Sequence, residues 1–210
     1  MGPFMILAGV FAVFIPALML PGPDFIAVVR TSMTRGTIAG LWTTLGVSLC
    51  LGIYATLSLA GLSAILIEYH WLAWAVRLSG GCYLIYLGLK LLFAQPAKLE
   101  MTEGSDRPKG NPLVFGFLVT STNPKAIVLF TSVFATAVTE STPFWLMGLM
   151  VVMVILSALV WYTLVTLFMS SAPVIRRFRH VQHWIERAAG VCFMAIGGRI
   201  LSDARNPVTP

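Results

Sequence analysis

The sequence predicts an all-α integral membrane protein, with six transmembrane helices arranged as a 3+3 inverted-topology repeat and spans one and four broken at PGPD and NPK. Three observations predict it. Of 210 residues, 58% are hydrophobic and 10% charged, against about a quarter charged in an ordinary soluble domain. The apolar residues fall into six segments, each long enough for a hydrocarbon core that takes about 20 helical residues. Two of those segments, about half a chain apart, are interrupted by the same kind of proline motif.

Taken in order, the spans cover about 3–33 (interrupted by PGPD), 37–67, 71–93, 112–138 (interrupted by NPK), 144–170 and 186–202. The first resembles a secretory signal in hydropathy. However, MGPFM has no basic n-region, and prolines stand where a small-residue cleavage site belongs. The longest polar stretch, AQPAKLEMTEGSDRPKGNP, is rich in Pro, Gly and charge and reads as a solvated linker. A single transmembrane domain therefore fills 1–210, with repeat one at about 1–93, a cytoplasmic linker at about 94–111 and repeat two at about 112–210. WLAW (71–74) and FW (144–145) open spans three and five as interfacial anchors.

Charge orients the spans. With the N-terminus outside, the inner connections carry Arg30, Arg35, Lys90, Lys98, Arg107, Lys109, Arg176, Arg177, Arg179 and Arg187, while the outer side keeps Arg77, Arg199 and Arg205. That asymmetry places both termini outside. The net charge of +6 flanks apolar spans instead of forming a stripe with aromatics, which argues against nucleic acid. RRFRHVQHW (176–184) reads as an orientation signal touching anionic headgroups, or as a basic lipid-binding helix. His70, His180 and His183 fall in expected loops, and Cys50, Cys82 and Cys192 are isolated. No metal site, disulfide framework, thiol redox centre or cofactor is expected. Nor is an enzyme: GLSAI (61–65) lacks the second glycine of a nucleophile elbow.

The two interruptions share one construction. Pro23 and Pro124 are 101 residues apart, and three spans per half force the second half to run opposite to the first, the layout of an inverted repeat. After Pro21, Gly22 precedes Pro23; Asn123 precedes Pro124 in the same way. A capping residue followed by proline at the first helical position restarts a helix. Both restarted helices would point their N-terminal ends into one region near mid-membrane, where N–H groups suit a carboxylate and freed carbonyls suit an ammonium. Asp24 and Lys125 follow the prolines. A charge at that depth costs about 2.5–3.5 kcal/mol on insertion scales, so each is expected to find a partner: the other residue, or a substrate. The competing reading is a buried pair that only holds two kinked helices together.

Span two carries Gly36, Gly40, Thr44, Ser48, Gly52, Thr56, Ala60 and Ala64, a small residue at every fourth position. Such a row permits close approach by a neighbouring helix. The neighbour is either another span of the same chain or a second copy in a homodimer.

PGPDF, the following TSMTRGTIAGLWTTLGVSLC and TNPKAIVLF together resemble the LysE/RhtB family of amino-acid exporters, over essentially the whole chain. The resemblance implies a bacterial inner-membrane exporter of amino acids or their derivatives, for which the charge asymmetry places both termini in the periplasm. It also implies coupling to protons and a pathway lined by the two broken helices, with Pro21, Gly22, Pro23, Asn123 and Pro124 as backbone scaffold. Asp24 would bind a proton or the substrate ammonium, and Lys125 would be its counter-charge or a carboxylate contact. Thiol-redox relatives in the wider superfamily are disfavoured by the lack of paired intramembrane cysteines. Two alternatives remain: a non-transporting membrane scaffold or assembly protein, and an exporter of a small cation on the same fold.

Overall fold

The computed structural model describes residues 2–62, 65, 68–93, 110–134, 142–168 and 172–205. The linker up to Lys109, Ala64, and the side chains of His70, Arg77, Arg176, Arg177, Arg179, His180 and Arg205 lie outside what is described. Among the described residues the chain is a set of helices with no strand. In chain order they are α1 (Pro3–Met19), α2 (Pro23–Arg35), α3 (Thr37–Thr56) and α4 (His70–Leu92), then α5 (Pro112–Ser121), α6 (Pro124–Leu129), α7 (Phe144–Phe168) and α8 (Ala172–Arg205). α3 continues as a π-helical turn over Leu57–Leu62, and α6 as another over Phe130–Phe134.

Three helices are individually long and apolar enough to cross a membrane: Thr37–Gly61, Trp74–Leu92 and Phe144–Phe168. The pairs α1/α2 and α5/α6 meet the same standard when each is taken as one span, bent by 44° and 56°. That makes up to five spans among the described residues. The expected sixth, 186–202, lies inside α8 and falls short, because Glu186, Arg187, Arg199 and Asp203 bracket its apolar run.

Local chemistry sets the helix starts. α1, α2, α5 and α6 all begin with proline in the first turn, where the missing N–H would be unpaired in any case. Asn111 and Asn123 cap α5 and α6 by accepting the N–H of Leu113 (2.9 Å) and of Lys125 (3.1 Å). Gly36 separates α2 from α3 at φ +86°, a backbone conformation that side-chain-bearing residues rarely adopt. A Cβ there would meet nothing within 4 Å. Gly36, expected at the head of the packing row, is therefore a turn residue.

From Gly40 to Gly52 the row packs within the chain, whereas Thr56 and Ala60 are exposed. A Cβ on Gly52 would stand 2.7 Å from the Ile155 side chain of α7, and one on Gly40 would collide with Ser32 of α2 and sit 2.8 Å from Thr166 of α7. Between them, Thr44 Oγ1 bonds the Tyr162 carbonyl and the Thr166 hydroxyl, each at 3.3 Å. Ser48 is fully buried. On the other side of α3, Gly46 lies against the Leu113 carbonyl of α5, and Gly116 of α5 against the Thr43 carbonyl. α3 is thus clasped between α5 and α7 by contacts that only small residues allow.

A second seam joins α4 to α8. A Cβ on Gly88 would be 2.8 Å from the Gly190 carbonyl, and one on Gly190 2.8 Å from the Gly88 carbonyl. Two turns away Gly81 and Gly197 repeat the reciprocal approach, at 3.2 and 2.8 Å. The helices run antiparallel, backbone on backbone. Toward the bundle interior, Phe11, Phe14, Phe130 and Phe134 form an aromatic cluster with centroid separations of 4.5–6.4 Å, holding α1 against the continuation of α6.

Because the obstacle at Gly88 and Gly190 is backbone, it cannot swing aside as a side chain can. Gly88→Leu and Gly190→Leu are each expected to destabilise the protein by about 1–3 kcal/mol or more, read as a lower melting temperature in detergent. Gly148→Leu, where a Cβ meets nothing within 4 Å, should melt like the wild type. Equal melting of all three would rule out the seam.

Candidate functional site

The two bends face one another, and each residue of PGPD has a separate task there. Pro21 has no N–H, so the carbonyl of Ala17, one turn earlier, loses the partner a continuous helix would supply. Lys125 fills that place: its Nζ donates to Ala17 O at 2.9 Å and to Leu20 O at 3.4 Å. Gly22 makes the approach possible, since a Cβ there would lie 3.2 Å from Nζ. Pro23 starts α2, and Asp24, 3% exposed, reaches across to the other bend.

There, Thr120 Oγ1 donates to Asp24 Oδ1 at 3.0 Å and Asn123 Nδ2 donates to Oδ2 at 2.9 Å. Both donors are themselves buried. The stranded carbonyls of the second bend are also accounted for. Pro124 cannot bond Thr120 O, which accepts the Asn123 N–H at 3.0 Å instead. Ser121 O would bond the Lys125 N–H in a continuous helix, but that N–H goes to the Asn123 cap, and Tyr54 OH from α3 donates to Ser121 O at 2.8 Å.

The arrangement is a reciprocal exchange. The carboxylate from the first bend is bound by the second, and the ammonium from the second is bound by the first. Asp24 and Lys125 lie at the two facing bends, and their hydrogen bonds go to Thr120 and Asn123 in one case and to main-chain carbonyls in the other, not to each other. Cys50 and Tyr54 of α3 and Tyr162 of α7 lie near enough to feel the charge of Asp24. The described residues contain no group of three or more His, Cys, Asp or Glu able to hold a metal ion.

Thr120 and Tyr54 are absent from the residues expected from sequence. Thr120 stands one turn before Pro124, the position whose carbonyl a proline strands, and that spacing is the only signal that singles it out. Tyr54 carries no local signal, because its role depends on how α3 packs against α5.

A buried carboxylate held between two bent apolar helix pairs defines a polar centre of the kind found in membrane translocators. The LysE type translocator family matches residues 15–204, and the chain belongs to that family. It is 29% identical over 197 residues to the threonine efflux protein of Salmonella typhi (92% of this chain, 96% of the relative). It is 28% identical over 197 residues to the threonine efflux protein of Escherichia coli strain K12, with the same coverage. An uncharacterized membrane protein of Haemophilus influenzae is 27% identical over 201 residues (91% and 93%). No solved structure matches it. Members of the family are transporters, not enzymes, and the chain is a multi-pass membrane protein of bacterial type.

Two asparagine caps allow a matched comparison. Asn111→Ala removes a cap alone and should cost about 0.5–2 kcal/mol. Asn123→Ala removes a cap and one donor to a buried carboxylate, adding about 1–3 kcal/mol. Chemical denaturation in detergent should rank Asn123→Ala as clearly the less stable; equal losses would mean that the Asn123–Asp24 bond contributes nothing.

Proposed function

We propose that this protein exports an amino acid or amino-acid derivative across the bacterial inner membrane by proton-coupled secondary transport, alternating access around the centre formed by Asp24 and Lys125. Family membership and the threonine efflux relatives support amino-acid export. The observation that carries the finer reading is the reciprocal exchange of a carboxylate and an ammonium between the two bends. A zwitterionic amino acid offers the same two groups. Its carboxylate can take the donors of Thr120 and Asn123, and its ammonium the carbonyls of Ala17 and Leu20, while Asp24 takes up or releases a proton.

In this reading the architecture is a 3+3 inverted repeat with α8 as the sixth span, the site near the bilayer midplane and both termini periplasmic. Its support is the reciprocity of the contacts. Each bend supplies the other's partner, and the two glycine pairs exchange if Gly81 is matched with Gly190 and Gly88 with Gly197. Two halves related by a two-fold axis in the membrane plane produce contacts of that form.

Liposomes containing the protein and preloaded with labelled threonine or another amino acid should release label, faster with an acidic exterior. Asp24→Asn and Lys125→Ala should still insert in the membrane and, compared at equal amounts of folded protein, transport at least about tenfold more slowly, a barrier increase of about 1.4 kcal/mol. Absence of flux for every amino acid tested would refute export; flux indifferent to the pH gradient would refute proton coupling alone.

A further inference from the structure

We propose that Thr120 is the positioning residue that lets Asp24 occupy two protonation states, and that the proton is taken up on Oδ1. The inference rests on the proton-coupled reading and names the atoms that serve it.

The Asn123 side of the carboxylate is committed. Asn123 Oδ1 accepts the Lys125 N–H at 3.1 Å as the cap of α6, which leaves Nδ2 toward Asp24 Oδ2 at 2.9 Å. Turning the amide over would break the cap and set oxygen against oxygen. An amide NH₂ only donates, so Oδ2 is confined to accepting.

The Thr120 side is reversible. A hydroxyl carries one proton and two lone pairs and rotates to suit its partner. With Asp24 ionised, Thr120 Oγ1 donates to Oδ1 across the 3.0 Å contact. When Oδ1 takes up a proton from the aqueous side, Oδ1–H donates to Thr120 Oγ1, and the threonine proton turns away. In a helix it has an acceptor one turn back, which for Thr120 is the Gly116 carbonyl within α5. No buried polar atom loses its partner in either state. Valine has the same shape and can play neither part.

Of the other titratable and charged groups, Lys125 from α6 shares the site, and Cys50 and Tyr54 from α3 and Tyr162 from α7 are near enough to feel the charge of Asp24. α5 contributes none, and Arg30 and Arg35 lie further along α2. Thiols, phenols and ammonium groups titrate at about 8.5, 10 and 10.4 in water, so the carboxyl of Asp24 is the group of this set suited to exchange protons between neutral and acid pH.

The test is an infrared titration of the purified full-length protein, following the carboxylic-acid C=O band that Asp24→Asn abolishes. Thr120→Val and Thr120→Ala should move the midpoint of that band to higher pH by about one unit, because a hydrogen bond to a charged group outweighs one to a neutral group. Thr120→Ser should titrate like the wild type. Wild-type midpoints in both hydroxyl-free variants would overturn the proposal. So would a Thr120→Ser variant that behaves like Thr120→Val, or the absence of an Asp24 band over the whole pH range in which the protein stays folded. The readout needs no substrate, so a failure of export in liposomes leaves this result independently decided.

Discussion

A proline inside a helix strands a carbonyl one turn earlier, and in hydrocarbon no water can take that carbonyl's bond. Whatever does take it fixes where the neighbouring helix must lie. At the first bend Pro21 strands Ala17 O, and the Lys125 ammonium answers it; at the second, Tyr54 covers Ser121 O. Both answers come from elsewhere in the chain, more than 60 residues away in sequence. The bends therefore hydrogen-bond the first half of the molecule to the second, alongside the Thr44 bonds from α3 to α7.

The helices around this centre are held differently. α3 is clasped by α5 and α7, and α4 meets α8, through glycines whose missing side chains bring backbones together. Such seams gain from dispersion and shape more than from directed bonds. The two kinds of contact divide the work. Directed polar bonds set the register of the bends, and close apolar contact sets the spacing of the helices that carry them. Long hydrophobic faces such as those of Trp145, Leu149, Val152, Leu156 and Val160 on α7 are left exposed, as the outer surface of a membrane protein requires.

Much of this was legible in the sequence. The apolar character of the helices, Pro23 and Pro124 in first turns and the row from Gly40 to Gly52 correspond to features of the structure, because each depends on local periodicity or on residues with strong backbone preferences. What escaped depends on other terms. Lys125 was expected to seek a carboxylate; its main partners are main-chain oxygens, which no sequence motif advertises. Gly36 belonged to the row by spacing yet sits at φ +86°, a role that depends on where α2 ends. The pairs Gly81/Gly197 and Gly88/Gly190 share a seven-residue spacing, but only the packing of α4 against α8 shows that they face each other. Arg187 and Arg199 read as orientation signals in the sequence, and together with Glu186 and Asp203 they also make α8 less apolar than the other spans.

The electrostatics of the centre restrict what can pass through it, on the transport reading proposed above. Withdrawing Asp24 or Lys125 from its partners without replacement leaves a charge or several hydrogen-bonding groups unpaired in a medium of low dielectric, at a cost of several kcal/mol. A ligand that carries only a carboxylate replaces Asp24 at Thr120 and Asn123 but does nothing for the carbonyls of Ala17 and Leu20. A simple cation has the opposite deficiency. A zwitterion answers both sets of partners in one molecule, so the exchange conserves charge and hydrogen bonds together. Selection among amino-acid side chains must then be made by the apolar walls, since the polar partners recognise only the groups that all amino acids share.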